Sequence, residues 1–303
     1  MKWMHDPWLI FCQLITWGIL LTLWATIFYI IFGLLPPDLS NVAIICIAGG
    51  MFLYYFFSDR LVLRIMGAKV ITQPDNPKLY AMVDRLRTKA GLPMPKIAVC
   101  GMPVPNAFAT GRNRRHSAVV VTPALLSLLN DDELECVLAH ELSHIKNYDM
   151  ATMTFAGILA AIATYLVLTE LLSFHFEKKE DIADWAIAII FLLIYAIIFV
   201  ITLLLTRLLS RYREIAADRG SALITQNPNA MINALNKITS GAGALPPAST
   251  PFTAFNSLFI VPAATGRFSF FDIVSTHPST RKRVKKLEKF KQVMIKKGIY
   301  VKP

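Results

Sequence analysis

Residues 139–145 read Ala-His-Glu-Leu-Ser-His-Ile, a His-Glu-x-x-His pattern inside a stretch with helical spacing. His140 and His144 are four residues apart, so on an α-helix they lie one above the other on a single face. Two imidazoles at that separation can grip one zinc ion. Glu141 projects about 100° round the helix from His140. From there its carboxylate could take a proton from a water that the metal polarises. The chemistry is metal-assisted hydrolysis, with a peptide bond as the favoured target. The bland alternative is a pair of solvated helix histidines, yet the chain has only six histidines and two of them bracket this glutamate.

A catalytic zinc takes three protein ligands and keeps a fourth position open. An extended motif with a third histidine would need Gly at 147 and His at 150, where this chain has Asn147 and Met150. The better candidate is Glu214, with Asp218 four residues later on the same helix face. Asp218 could accept the ring N–H of a zinc-bound histidine, His140 in the first instance, and fix its tautomer. The competing reading of Glu214 is a surface salt bridge with Arg211 or Arg213.

These residues need elements to position them, and most of the chain is apolar. Hydrophobic residues make up 55% of the 303, and the mean hydropathy is +0.50. Charge-free runs lie between Asp6 and Asp38, Asp38 and Asp59, Asp149 and Glu170, and Asp184 and Arg207. Each is about as long as the 20 residues a helix needs to cross a bilayer. The expectation is four transmembrane helices, at Trp8–Leu35, Asn41–Phe57, Met150–Phe174 and Trp185–Leu205. The first run is far longer than a signal-peptide core and is read as a retained anchor. Arginines and lysines follow the second and fourth runs (Arg60, Arg64, Lys69; Arg207, Arg211, Arg213), while the loops at 36–40 and 177–184 carry no positive excess. The positive-inside rule therefore puts the His-Glu-x-x-His helix and both termini in the cytoplasm.

Between the membrane hairpins, 71–149 reads as a small α/β piece. A helix is expected over 77–90, strands over 96–102, 106–111 and 118–122 with a polar turn at 112–117, and a helix start after Pro123. Asn130 reads as the N-cap of the motif helix, with Glu133 completing a capping box. Four segments result: a membrane hairpin over 1–58, the α/β protease part over 59–149, a second membrane hairpin over 150–206, and a helical part over 207–303. That last part includes a long segment without periodicity at 239–271, read as a lid or mobile loop, and a basic terminal helix. Ten Lys or Arg against one Glu lie after His277. Because most of the net charge of +11 sits in this tail, the charge gives only weak support to nucleic-acid binding by the whole protein, and no nucleic-acid partner is expected. The four cysteines show no Cys-x-x-Cys spacing and are read as free thiols.

Taken together, four motifs resemble those of the HtpX family of membrane-bound zinc metallopeptidases, relatives of the CAAX prenyl proteases. They are His140–Asp149, the strand Pro105–Gly111, Arg213-Glu214-Ile215-Ala216-Ala217-Asp218, and Ser275-Thr276-His277-Pro278 followed by Arg283. They occur in the family's order and cover nearly the whole chain. The resemblance implies a mainly α membrane protein with a cytoplasmic, zincin-like α+β protease domain carrying a small sheet. It implies one zinc ion per chain held by His140, His144 and Glu214, with Glu141 as general base and proton shuttle. His277 would stabilise the oxyanion, and Asp218, Asn147 and Arg283 would support the site. Asn106, Ala107, Phe108 and Ala109 would take an extended protein substrate as an added strand.

The function expected is a multi-pass cell-membrane endopeptidase acting on membrane or misfolded proteins from the cytoplasmic side, in protein quality control. The alternatives are a CAAX-type prenyl-protein protease and a non-catalytic membrane protein with a structural metal site. A structural zinc would want a fourth protein ligand and would have no use for Glu141.

Overall fold

The structure is a computed structural model that describes residues 7–34, 36–176, 181–243 and 278–300. It divides into two compact units. One holds the described residues up to Tyr54 together with Thr152–Leu209; the other holds Tyr55–Ala151 and the described residues from Ser210 onward.

The first unit draws on four long helices: α1 (Pro7–Leu34), α2 (Pro37–Ile65), α6 (Asp149–Phe176) and α7 (Ile182–Thr225). Segments this apolar are helical because a helix satisfies every backbone hydrogen bond within itself. Trp24 packs with Ala156 and Leu159, and Trp17 meets Phe155 edge to face at 5.4 Å. Leu21, Val42, Ile45, Leu168, Leu193 and Ile197 face outward. Among the described residues, two helices are long and apolar enough to cross a membrane, Asp149–Leu168 and Ile182–Thr225, and a third crossing results if Ile45–Leu53 and Tyr55–Ile65 form one span. In α1 the stretch Trp17–Thr26 is apolar but shorter.

The second unit carries the chemistry. Its four strands are β1 (Lys69–Ile71), β2 (Lys96–Val99), β3 (Ala107–Asn113) and β4 (His116–Val121). They form one mixed sheet in the order β1-β2-β4-β3, parallel only between β2 and β4. Beside them lie α3 (Pro77–Ala90), α4 (Pro123–Leu128), α5 (Asp131–Lys146), α8 (Pro228–Gly243) and α9 (Thr280–Lys296). Helix α5 is the centre, packed against α3, α8, β3 and β4. It is therefore buried almost throughout from Glu133 to Ile145. Leu138, Leu142 and Ile145 join Val83, Leu86, Val119, Val121, Met231 and Leu235 in one core. Burying each such side chain contributes about 1.5–3 kcal/mol. The expected capping box starts α5: Asn130 Oδ1 accepts from Glu133 N–H at 2.9 Å, and Glu133 Oε2 accepts from Asn130 N–H at 3.0 Å. Helix α7 comes so close to α5 at Gly220 that a Cβ there would lie 2.3 Å from Ser143 Oγ.

Several boundaries differ from the sequence expectation. Helix α2 does not stop at Phe57 but continues through Asp59 and Arg60 to Ile65, because Leu63 and Met66 bury against the sheet. Strand β2 ends at Val99 rather than 102; Pro103 and Pro105, which cannot donate to a ladder, follow closely. Strand β3 runs on to Asn113 through the expected turn, and β4 starts at His116. The turn is only Arg114-Arg115, because Asn113 Oδ1 accepts the N–H groups of Arg115 and His116. Strand β1, three residues long, was not anticipated. Residues Thr239–Gly243 belong to helix α8 rather than a loop, and the rest of the expected lid, with His277, lies outside the described residues. Cys46, Cys100 and Cys136 are free thiols.

Candidate active site

Helix α5 stacks His140 and His144 so that their Nε2 atoms stand 3.1 Å apart. Helix α7 brings Glu214 to them from across the unit, with Oε2 3.5 Å from His140 Nε2 and Oε1 3.5 Å from His144 Nε2. Donors about 2.0–2.1 Å from a tetrahedral centre stand roughly 3.3–3.5 Å from one another. The three side chains form the group with metal-ligand spacing found among the described residues.

The outer nitrogens are held as well. His140 Nδ1 lies 3.0 Å from Asp218 Oδ1, and His144 Nδ1 lies 2.7 Å from Asp149 Oδ2. His144 Nδ1 hydrogen-bonds its carboxylate and His140 Nδ1 has a carboxylate beside it, so neutral rings protonated at Nδ1 would turn two Nε2 lone pairs toward each other and toward Glu214. That arrangement of donors calls for a cation between them.

The charge balance says the same. Glu141, Glu214, Asp149 and Asp218 are all buried, as are Arg213 and Arg283. Arg213 Nε is 3.1 Å from Asp149 Oδ1. Arg283 donates to Asp218 through Nε at 2.9 Å and Nη2 at 2.6 Å, and its Nη1 is 3.1 Å from Glu214 Oε2. Among these described residues, four carboxylates face two guanidinium groups, an excess of two negative charges with all of them ionised, which one divalent ion would balance. Without an ion the histidines take up that role. Burial pulls the His144 imidazole down, but its hydrogen bonds to Asp149 and Glu214, with their charges, outweigh this and push it up to about 10. His140 is also raised, as hydrogen bonds to Asp218 and Glu214 overcome burial. Burial raises the Glu141 carboxyl above the usual carboxylate range, against the opposing pull of the two histidines.

The family model of peptidase family M48 matches residues 73–291. The chain belongs to peptidase family M48. The chain is 40% identical over 247 residues to "Protease HtpX homolog 2" of Methanosarcina mazei, covering 79% of this chain and 81% of that protein. Against "Protease HtpX homolog" of Moorella thermoacetica it is 40% identical over 245 residues, with the same coverage of each. Among solved structures it resembles the crystal structure of S. mikatae Ste24p, with a TM-score of 0.51 and 17% identity over 89% of this chain. The chain spans 62% of that protein's length, and the likeness shows the fold alone.

As an M48 metalloprotease, the chain has its expected ligands together: His140, His144 and Glu214 converge, and Asp218 and Arg283 stand where support was expected. Glu214 is not a surface salt bridge; it is buried against Arg283. Asn147 is placed at the C-cap of α5, its backbone N–H donating to Ser143 O. Beside the site, β3 is an edge strand of the sheet among the described residues, and the backbone of Ala109 hydrogen-bonds the Glu141 carboxyl. Ala107 and Phe108 are core residues whose side chains are buried, so any contact they make with substrate is through backbone. Asn106 is buried, and its N–H and carbonyl are both tied to Thr122.

Asp149 and Arg213 were missed as site residues. Asp149 sits past the end of α5, five residues after His144, which is the wrong spacing for a helix neighbour. The chain brings it back because Tyr148 takes a left-handed conformation, φ 58°. Arg213 was read as a competitor for Glu214; instead it pairs with Asp149. The signal available was composition: an acid and a base placed beside each motif.

Proposed function

We propose that this M48 metalloprotease is a zinc-dependent endopeptidase that cleaves membrane or misfolded proteins at the cytoplasmic face of the cell membrane. The observation that carries the reading is the three-donor set His140, His144 and Glu214, closed to coordination distances and two positive charges short. Two imidazoles and one carboxylate, with no fourth protein donor among the described residues, are the ligand set of a catalytic rather than a structural zinc. Zinc bound there would supply Lewis acidity, polarising a carbonyl and activating water near neutral pH.

The chain's own residues do the rest. Asp149 and Asp218 fix the ring tautomers. Glu141, buried and with a raised proton affinity, accepts a proton from the attacking water and hands it to the leaving amine. An extended peptide adds to the outer edge of β3, so backbone bonds bind it with little regard to its sequence. His277 donates to the developing oxyanion. All four of α1, α2, α6 and α7 cross the bilayer, with Arg60, Arg64, Arg207 and Arg211 on the cytoplasmic side.

Cleavage of casein by the detergent-purified protein tests the chemistry. Activity should need zinc, stop with a chelator and fall at least about a hundredfold in Glu141→Gln; unchanged cleavage in that variant would sink the assignment. A reporter fused after Pro303 should read cytoplasmic.

A further inference from the structure

The hairpin of β3 and β4 does something the peptidase reading does not use. Its tip is clasped to the ends of two apolar stretches. Arg112 lies over the ring of Phe56 at 4.1 Å and donates through Nη1 to the Phe56 carbonyl, while Tyr55 O–H donates to the Arg112 carbonyl at 2.8 Å. Phe56 lies three residues beyond the apolar stretch Ile45–Leu53, at the start of the limb Tyr55–Ile65 that follows it. On the other side Arg114 lies over the ring of Tyr148 at 4.2 Å and donates through Nε to Lys146 O at 3.0 Å. Tyr148 immediately precedes the apolar span Asp149–Leu168. All these residues belong to one compact unit.

The clasp leaves apolar rings and bare cations at the surface. Phe56, Phe57 and Tyr148 are 40%, 42% and 47% exposed. Arg60, 5.9 Å from the centre of the Phe57 ring, and Arg64 one turn on are exposed, as is Arg115 at the hairpin tip. Among the described residues none of these three guanidinium groups has a carboxylate within ion-pair distance. The nearby acid, Asp59, is buried and faces Lys96 at 3.5 Å and Arg112 at 3.9 Å. The tip is also rigid. Asn113 Oδ1 holds the N–H groups of Arg115 and His116 at 3.0 and 2.9 Å. Gly111, at φ +140°, admits the close approach of the His116 carbonyl, which a Cβ would meet at 2.3 Å.

Aromatic rings beside arginines at the end of an apolar helix suit the boundary between acyl chains and phosphates. The geometry points to this hairpin and the adjoining turn of α2 as a docking surface for the headgroups of anionic phospholipids. The rings enter the interface, and Arg60, Arg64 and Arg115 meet lipid phosphates, each cation adding to the attraction. Because the same hairpin contains β3, the surface would hold the substrate edge at headgroup level.

Native mass spectrometry of the full chain, titrated in detergent with phosphatidylglycerol or phosphatidylcholine, tests this. Wild type should retain the anionic lipid over the zwitterionic one by roughly tenfold or more. Arg60→Gln/Arg64→Gln/Arg115→Gln should erase that preference, and Arg115→Gln alone should reduce it. Lys285→Gln/Lys286→Gln/Lys289→Gln, on the basic outer face of α9, should keep it. The proposal fails if wild type does not discriminate, if the arginine variants keep the preference, or if the α9 variant loses it. It also fails if inorganic phosphate at equal concentration displaces the lipid, because the site would then be one for a free anion.

Discussion

Asp149 Oδ2 stands 2.7 Å from His144 Nδ1, although the two residues lie on opposite sides of a helix break. Its other oxygen is 3.1 Å from Arg213 Nε. His140 has the same arrangement from different elements: Asp218 faces its Nδ1, and Arg283 braces Asp218. Each ring therefore has an acid behind it and a guanidinium behind the acid. The acid makes the ring a better donor, and the guanidinium holds the acid in place.

The first prediction concerns these acids. Asp149→Asn keeps the shape but removes the charge that raises the basicity of His144. Zinc affinity, measured by competition with a calibrated chelator, should fall about 10- to 100-fold. Asp218→Asn should do the same through His140. If Asp149→Asn leaves affinity unchanged while Asp218→Asn lowers it, the pairing at His144 is a structural contact only.

Arg283 comes next. Its guanidinium reaches Asp218 twice and Glu214 once from a fully buried position. Those carboxylates, outweighing burial, hold it protonated. Arg283→Gln leaves two buried carboxylates short of a partner, which costs about 3–5 kcal/mol. The metal-free melting temperature should drop sharply, and zinc should restore part of it by neutralising the same acids. Arg283→Lys should restore little, because one ammonium cannot reproduce the forked contacts.

How much of this was legible beforehand depends on the range of the interaction. The grip of His140 and His144 is set by one helix, so four-residue spacing revealed it. Glu214 and Asp218 share a helix too, and their spacing marked them as a pair. The joining of α5 to α7, through Gly220 and Ser143, is a tertiary contact that no local pattern encodes. Asp149 was hidden for a different reason. Its role depends on one left-handed residue, Tyr148, a conformation uncommon outside glycine. Hairpin β3–β4 was misread at its ends because Asn113 can either start a turn or close a strand, and only pairing with His116 decides it.

The third prediction concerns pH. Without metal, His144 is raised from 6.5 to about 10 and His140 is also raised. His144 is then protonated at neutral pH, so an incoming ion must displace its proton. Apparent zinc affinity should rise with pH from neutrality toward about 10. Calorimetry in buffers of different ionisation enthalpy should register proton release at pH 7, and none would contradict the assignment. Stability runs the other way. A folded-state value above the unfolded one contributes stability that is complete below about 6.5 and is lost as pH rises through about 10. The metal-free protein should therefore melt lower at pH 10 than at pH 7, and the zinc-loaded protein should lose less over the same interval.

The last prediction tests the contact that assembles the site. A Cβ at Gly220 would meet Ser143 Oγ at 2.3 Å and Ser143 Cβ at 2.8 Å. Ser143 cannot swing away freely, since its hydroxyl donates to Ala139 O at 2.8 Å inside a buried helix. Gly220→Ala should force α7 away from α5 at the point where α7 delivers Glu214 and Asp218. Overpacking of this kind costs about 1–3 kcal/mol. Metal affinity should fall with stability, because the donors would no longer close to their present spacing. Ser143→Gly removes both clashing atoms but by itself loosens α5 by about 1 kcal/mol. If the clash is the cause, the double variant should be more stable than the sum of the two single losses, with a favourable coupling of about 0.5–3 kcal/mol. Additive losses in urea unfolding would mean that Gly220 is required for some other reason than its approach to Ser143.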